Sequence, residues 1–309
     1  MPTLAAIIAS ATISGAITAE DTLVVRREVF PDGVVASEEA EKIMALNALC
    51  RTPSPEWVQF YIESISDYVV HQAIPAGYVD IRNADWLMRH IVHDGRVDSL
   101  TELELLVKVV EVAAYVPDSL KSYVLKQVEN AVLTGEGPTR QGALDRNGIN
   151  AIEVELLRRV LFAQAGDEAI VVSRAEADML FRLKDATLKA DNAPGWADLF
   201  VRGVGNHLMA LRTTAPFSRE EQMAADVFLA ETDVRIHRFI GRMFGIGAQT
   251  TLPGRHIEAT ETLDARVAAD QAVTPSEKGW LDARLAEDAQ TDELEEALMR
   301  FIERETATA

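Results

Sequence analysis

Metal ligation is the first chemistry that residue types and spacing in this sequence allow. His90, His93 and Asp94 form an H-x-x-H-D cluster. On a helix, positions i and i+3 share a face, so both imidazoles could reach one ion. The competing reading is structural: polar residues closing a helix just before Asp94–Gly95, where they suit the negative end of its dipole. Glu20, Asp21, Asp32 and Glu39 make a second candidate set. The loop at Asp32 offers only Asp32 and Glu39, whereas a hard cation takes about six to eight oxygens. The tandem loop that begins at Gly15 supplies Glu20 and Asp21 from a neighbouring helix start. Four carboxylates gathered there would repel one another, and a divalent ion, Ca2+ or Mg2+, would relieve the repulsion.

Other chemistries fail on their own requirements. A single-loop calcium site does not form at Gly33, because counting it as the sixth position puts Phe30 at the third ligand. The lone Cys50 excludes an intramolecular disulfide and a cysteine-based zinc site, and it reads as a small buried or half-buried apolar residue rather than a nucleophile. Gly241, Gly245 and Gly247 follow apolar residues at helical spacing, so they fit helix ends better than a dinucleotide loop. His207, His237 and His256 stand alone. No serine elbow or His-Glu-x-x-His motif occurs.

The acidic helix-start loops resemble those of the TerB-like, tellurite-resistance-type helical proteins. The residues carrying the likeness are Asp32-Gly33-Val35-Glu39, Asp94-Gly95-Val97-Glu102 and Asn147-Gly148-Ile149-Glu153, set against the pattern D-G-x-[IV]-x-x-x-E. The resemblance implies an all-helical domain, acidic helix-start residues able to bind a divalent metal, and a stress or signalling role at membranes.

The elements that must position these residues are helices. A β-branched residue, a small cap and a Glu three places later recur as Ile149–Asn150–Glu153 and Val172–Ser173–Glu176. This is the capping-box pattern, in which cap and Glu satisfy each other's backbone N–H. Thr18 with Asp21, Glu39, Ser99 with Glu102 and Glu277 fit the same device. Helices are expected over residues 18–29, 36–49, 55–71 and 83–93, followed by strongly apolar helices after Ser99 and Pro117. Gly135–Gly142 reads as the main linker and Gly245–Gly254 as a second. After the first linker the order of features returns, with Val35 opposite Val172 and Trp57 opposite Trp196. The expected fold is all-α: two related multi-helix units by duplication, 1–137 and 146–250, plus a shorter acidic helical segment over 255–309. There Leu294, Leu298, Phe301 and Ile302 form an apolar stripe, which predicts a docked helix.

Composition limits the function classes. Aromatic residues at 6% among abundant Ala, Leu and Glu favour helix over sheet. A net charge of −19 argues against nucleic acid, which demands clustered Lys and Arg, and against an anionic membrane surface. No apolar run approaches the roughly 18 residues of a membrane span. The opening stretch, residues 1–16, is apolar but lacks a basic start, since the first Arg is Arg26. With one cysteine, these features favour a cytoplasmic location. The expected function is non-catalytic: a scaffold, sensor or regulator with a protein partner, in its sharpest form divalent-metal-responsive. The alternatives are an enzyme whose polar residues converge only in space, or a structural subunit of an assembly.

Overall fold

Many helices among the described residues start at a local cap that satisfies a first-turn backbone N–H. The computed structural model describes residues 4–29, 35–93, 95–140, 148–163, 171–209, 275–286 and 292–307. Among them the fold is helical: α1 (Leu4–Ser14), α2 (Ala19–Val29), α3 (Ser37–Ala48), α4 (Pro55–Asp67), α5 (Ile81–Ile91), α6 (Leu100–Val112), α7 (Asp118–Thr134), α8 (Ala151–Leu161), α9 (Arg174–Thr187), α10 (Trp196–Met209), α11 (Pro275–Leu285) and α12 (Glu293–Ala307). Glu39, Glu102, Glu153, Glu176 and Glu277 all stand in the first turn of their helices, as the cap pattern predicts.

Four capping boxes among the described residues show the device in full. Thr18 Oγ1 accepts from Asp21 N–H at 3.2 Å, and Asp21 accepts from Thr18 N–H at 3.0 Å. Ser99 and Glu102 exchange the same pair, each at 3.2 Å. Asn150 accepts from Glu153 N–H at 2.9 Å and returns its own N–H to Glu153 at 3.0 Å. Ala36 has no side-chain acceptor, so only the return half forms there, with Glu39 accepting from Ala36 N–H at 2.8 Å. A fourth box, Asp292 with Glu295, starts α12.

Just ahead of several boxes lies a buried β-branched residue whose backbone N–H is clamped by a distant carboxamide. Val35 donates to Gln72 Oε1 at 2.7 Å, Val97 to Gln127 Oε1 at 3.3 Å, Ile149 to Asn192 Oδ1 at 2.9 Å and Val172 to Asn206 Oδ1 at 2.7 Å. A buried N–H left without a partner costs about 1–3 kcal/mol, so each clamp fixes where its loop can sit. Gly148, before Ile149, has φ +86°, and a Cβ there would lie 2.7 Å from Asn192 Oδ1. The glycine admits both the left-handed turn and the close clamp.

The chain divides into two compact units, 1–170 with 174–199, and 171–173 with 200–309. In the first, α4 and α6 form the centre, with α2 and α3 against α4, α8 against α6 and α7, and α9 against α7. Leu103, Leu105, Leu106, Val107 and Val109 are buried on nearly every side of α6. Strand is minor: β1 (Ala16–Ile17) pairs in parallel with β2 (Thr52–Pro53), and β3 (Val92–His93) pairs antiparallel with β4 (Arg96–Val97). In the second unit, the latter half of α10 meets α12 closely; a Cβ at Gly205 would lie 2.5 Å from the Phe301 ring. Leu298 is fully buried, so the acidic C-terminal helix is docked as its apolar stripe predicts.

Several expectations change. The stretch expected as the main linker does not separate compact units. Gly135 caps α7 in the left-handed conformation, Pro138–Arg140 forms a 3-10 turn, and Thr139 and Arg140 are buried. Arg140 is held there by Glu153, with Nε 2.8 Å from the carboxylate and Nη2 donating at 2.8 Å. Residues 141–147, the second linker at 245–254 and the start of the third repeat at 255–274 lie outside the described residues. Trp57 is the third residue of α4 and Trp196 the first of α10, both buried, so they do not take the same helical position.

Candidate functional site

The candidate site lies where α4 changes its winding. After Asp67 the helix continues as a π turn, Tyr68–Gln72. Wider turns of this kind displace side chains by part of a turn and frequently mark functional positions. Gln72 holds the turn from both sides: its Oε1 takes the Val35 N–H, and its Nε2 donates to the Asp67 carboxylate. Tyr68 meets the edge of Trp86 at 5.2 Å, and Trp86 in turn lies 4.6 Å from the His90 ring.

Beside this turn a cleft of about 350 Å3 opens among α2, α4 and α6. Phe60 and Val112 give it an apolar lining; Arg26 and Lys108 bring positive charge, and Glu63 and Asp67 negative charge, with His71 at the π turn. Glu63, Asp67 and His71 follow one another at four-residue spacing, which puts them along one side of the α4 winding. Lys108 also lies 3.5 Å from Glu111, which accepts from Arg159 at 3.1 Å. The cleft's size matches a small ligand or a short peptide segment. Both charge signs beside an apolar lining suit a ligand that is itself mixed in charge.

Behind the cleft the polar groups are engaged with one another. Trp57 Nε1 donates to Asn47 Oδ1 at 3.1 Å, and Asn47 donates to Glu102 at 3.5 Å. Tyr61 is buried beside them, and burial together with the Glu102 charge pushes its hydroxyl far above the ordinary tyrosine value. The Cys50 thiol is half-buried, and burial holds it above the ordinary cysteine value against the backbone hydrogen bonds with Ile17 and Thr52.

Asp21 already accepts from Thr18 N–H and Oγ1, and Glu39 from Ala36 N–H. Glu20 is exposed in the first turn of α2. Asp32 lies outside the described residues. The Gly15 loop pairs with Thr52–Pro53 through β1 and β2, an α4 start rather than the tandem α3 start. His90 and His93 do not share a helical face, because α5 ends at Ile91 and Val92–His93 turns into a hairpin around Gly95, at φ +80°. His90 Nδ1 lies 2.8 Å from Trp86 O. Asp94 is outside the described residues. Among the described residues, no group of three His, Cys, Asp or Glu is placed to hold an ion.

Sequence reading passed over Arg26, Glu63, Asp67, His71 and Lys108. The four-residue spacing of 63, 67 and 71 was visible, but such a charged stripe ordinarily marks a solvated face. His207, read as isolated, is buried in the second unit. Its Nδ1 is 3.0 Å from Val172 O, and its ring stands edge-on to Trp280 at 4.9 Å. His237 and His256 lie outside the described residues. No helix among the described residues is long and apolar enough to cross a membrane. Compared with known proteins, the chain matches no family model, no curated protein and no solved structure.

Proposed function

We propose that this chain is a non-catalytic binding and scaffold protein whose contact site is the cleft beside the π turn. The observation that carries the reading is the cleft itself: an apolar lining of Phe60 and Val112 between Arg26 and Lys108 on one side of the charge balance and Glu63 and Asp67 on the other. Its occupant is a short peptide segment of a partner protein, apolar at one position and carrying charges of both signs. Selection of displayed peptides on the immobilised protein tests this. Enriched peptides should share that composition, compete with one another, and weaken at least ~10-fold on Lys108→Glu, the scale of losing a central contact. Failure to enrich any sequence, or binding indifferent to Lys108→Glu and Glu63→Lys, would reject the site.

The narrower form of the proposal is a divalent-metal-responsive, TerB-like protein built by internal duplication. Two features support it: the repeated glycine, β-branched residue and acidic helix start, and the matching clamps of Val35 by Gln72 and Val172 by Asn206. Because Asp21 and Glu39 are engaged in caps, an ion at these loops has to compete with backbone N–H groups. Calorimetry of metal-stripped protein against Ca2+, Mg2+, Zn2+ and Mn2+ decides it. Heat lost on Asp21→Ala plus Asp32→Ala supports the metal form, and absence of heat removes it without touching the peptide cleft.

A further inference from the structure

A continuous α-helix would keep Asp67 and Gln72 apart. At 3.6 residues per turn, side chains five positions apart point about 140° away from each other. The π turn removes that separation. Ala73 N–H bonds to Tyr68 O at 2.8 Å, five residues back, and the wider winding brings position 72 over position 67. There Gln72 Nε2 donates to the Asp67 carboxylate. The same carboxamide accepts the Val35 N–H through Oε1 at 2.7 Å, 37 positions earlier in the chain. Val35 is buried, and α3 begins two residues after it, at Ser37. Asp67 is half-buried and lines the cleft. Among the described residues no cation pairs with it. One side chain thus ties a wall of the cleft to the entry of another helix.

We infer that Gln72 is a relay: a cationic group of a ligand that pairs with Asp67 loosens the Val35 clamp, and with it the start of α3. The step is electrostatic. An amide N–H donated to a carboxylate makes the carbonyl of that same amide a stronger acceptor, because hydrogen bonds in a chain polarise one another. Val35 is therefore held best while Asp67 keeps its full negative charge. A guanidinium or ammonium placed on Asp67 offsets that charge, weakens the pull on Gln72 Nε2, and so weakens Oε1 toward Val35. Coupling between two sites is reciprocal, so freeing Asp67 from Gln72 strengthens its hold on the cation.

The relay rests on the reading of the cleft as a binding site, and it gives the chain a way to register what is bound. Its ligand chemistry is a Lys or Arg side chain of the partner segment, seated at Asp67. Glu63, the other carboxylate of the stripe, has no such connection. Gln59 Nε2 donates to it at 2.9 Å, and among the described residues Gln59 holds no distant backbone group.

Amide exchange of the full chain, followed by NMR, tests the relay with Nα-acetyl-arginine amide as the probe and its neutral citrulline analogue as the control. Ile149 and Val172, clamped by Asn192 and Asn206, are internal references that cancel any change in global stability. The arginine probe should speed Val35 exchange at least ~3-fold against these references, and the citrulline analogue should not. Asp67→Asn, which keeps the shape and removes the charge, should speed Val35 by a similar factor with no ligand present and abolish the response to the probe. Gln72→Met should bind the probe more tightly, whereas a merely structural role for Gln72 would leave binding unchanged or weaken it. Should Gln72→Met fail to fold, Asp67→Asn decides alone. Val35 exchange in Asp67→Asn equal to that of the parent overturns the relay and leaves the peptide reading standing. A Val35 amide that ignores the arginine probe throughout the titration overturns it as well. Failed peptide selection, with Val35 still accelerated by Asp67→Asn, would keep the relay and remove the peptide.

Discussion

Burial acts alike on Glu153 and Glu129, but their partners turn the result in opposite directions. At Glu153 burial dominates and holds the carboxyl above its ordinary value, against the opposing bonds from Asn150, Thr139 and Arg140. At Glu129 burial also pushes upward, but hydrogen bonds from Arg182 and Lys126, and their charges, bring it below the ordinary value. By linkage, the folded chain holds the Glu153 proton more tightly than the unfolded chain. That contribution is whole below the ordinary carboxylate value and is lost as pH rises through the raised one. For Glu129 the contribution is whole above the ordinary value and is lost as pH falls through the lowered one. Urea denaturation across the acid range should show this: the stability of the parent relative to Glu153→Gln falls with rising pH, and relative to Glu129→Gln it rises. Equal slopes for the two comparisons would contradict the assignment. Arg140→Ala should cost about 3–5 kcal/mol at neutral pH, because it leaves a buried carboxylate without its cation. Arg140 itself was not legible in the sequence. Its surroundings have a linker's composition, and the partner that buries it lies 13 residues on.

Helix starts were the most legible elements because their signal is local. A cap and a Glu three residues later declare themselves within one turn, and the first-turn positions of Glu39, Glu102, Glu153, Glu176 and Glu277 follow. The clamps were illegible for the opposite reason, since donor and acceptor are separated by 30 to 43 residues. The π turn was hidden as well: the sequence from Tyr68 to Gln72 reads as plain helix, and the altered winding depends on what Gln72 meets in space. Two substitutions separate these contributions in a thermal melt. Ser99→Ala should cost ~0.5–2 kcal/mol, the scale of a cap. Asn206→Leu should cost more than the cap alone, about 1–3 kcal/mol, because the buried Val172 N–H loses its acceptor. If Asn206→Leu proved neutral, the clamp would not be holding that loop.

For the whole molecule, the all-α class was readable from composition and periodicity, whereas the division into units was not. The sequence suggested a break at glycine-rich residues 135–142, yet α7 and α8 pack together across it. Packing faces, rather than loop composition, decide where a unit ends. Charge acts at this same scale. With 49 acidic against 30 basic residues, the folded chain concentrates like charge that the unfolded chain spreads out. Raising sodium chloride from low ionic strength to ~0.5 M should therefore raise the Tm, since the screening length shrinks to a few ångströms. A Tm that falls with salt would mean that favourable ion pairs such as Arg159 with Glu104 outweigh the general repulsion.

The carboxamide clamps carry a consequence for how the chain would look by amide hydrogen exchange. Val35, Ile149 and Val172 precede their helices and belong to no regular ladder, so their amides should exchange within the time of an ordinary loop. Each is instead buried and bonded to a side chain fixed in a separate segment. Their protons can leave only when that segment separates as well, so opening one loop requires breaking a long-range contact. They should appear as isolated slow amides between faster neighbours, keeping time with the helices that carry Gln72 and Asn206 rather than with their own loops.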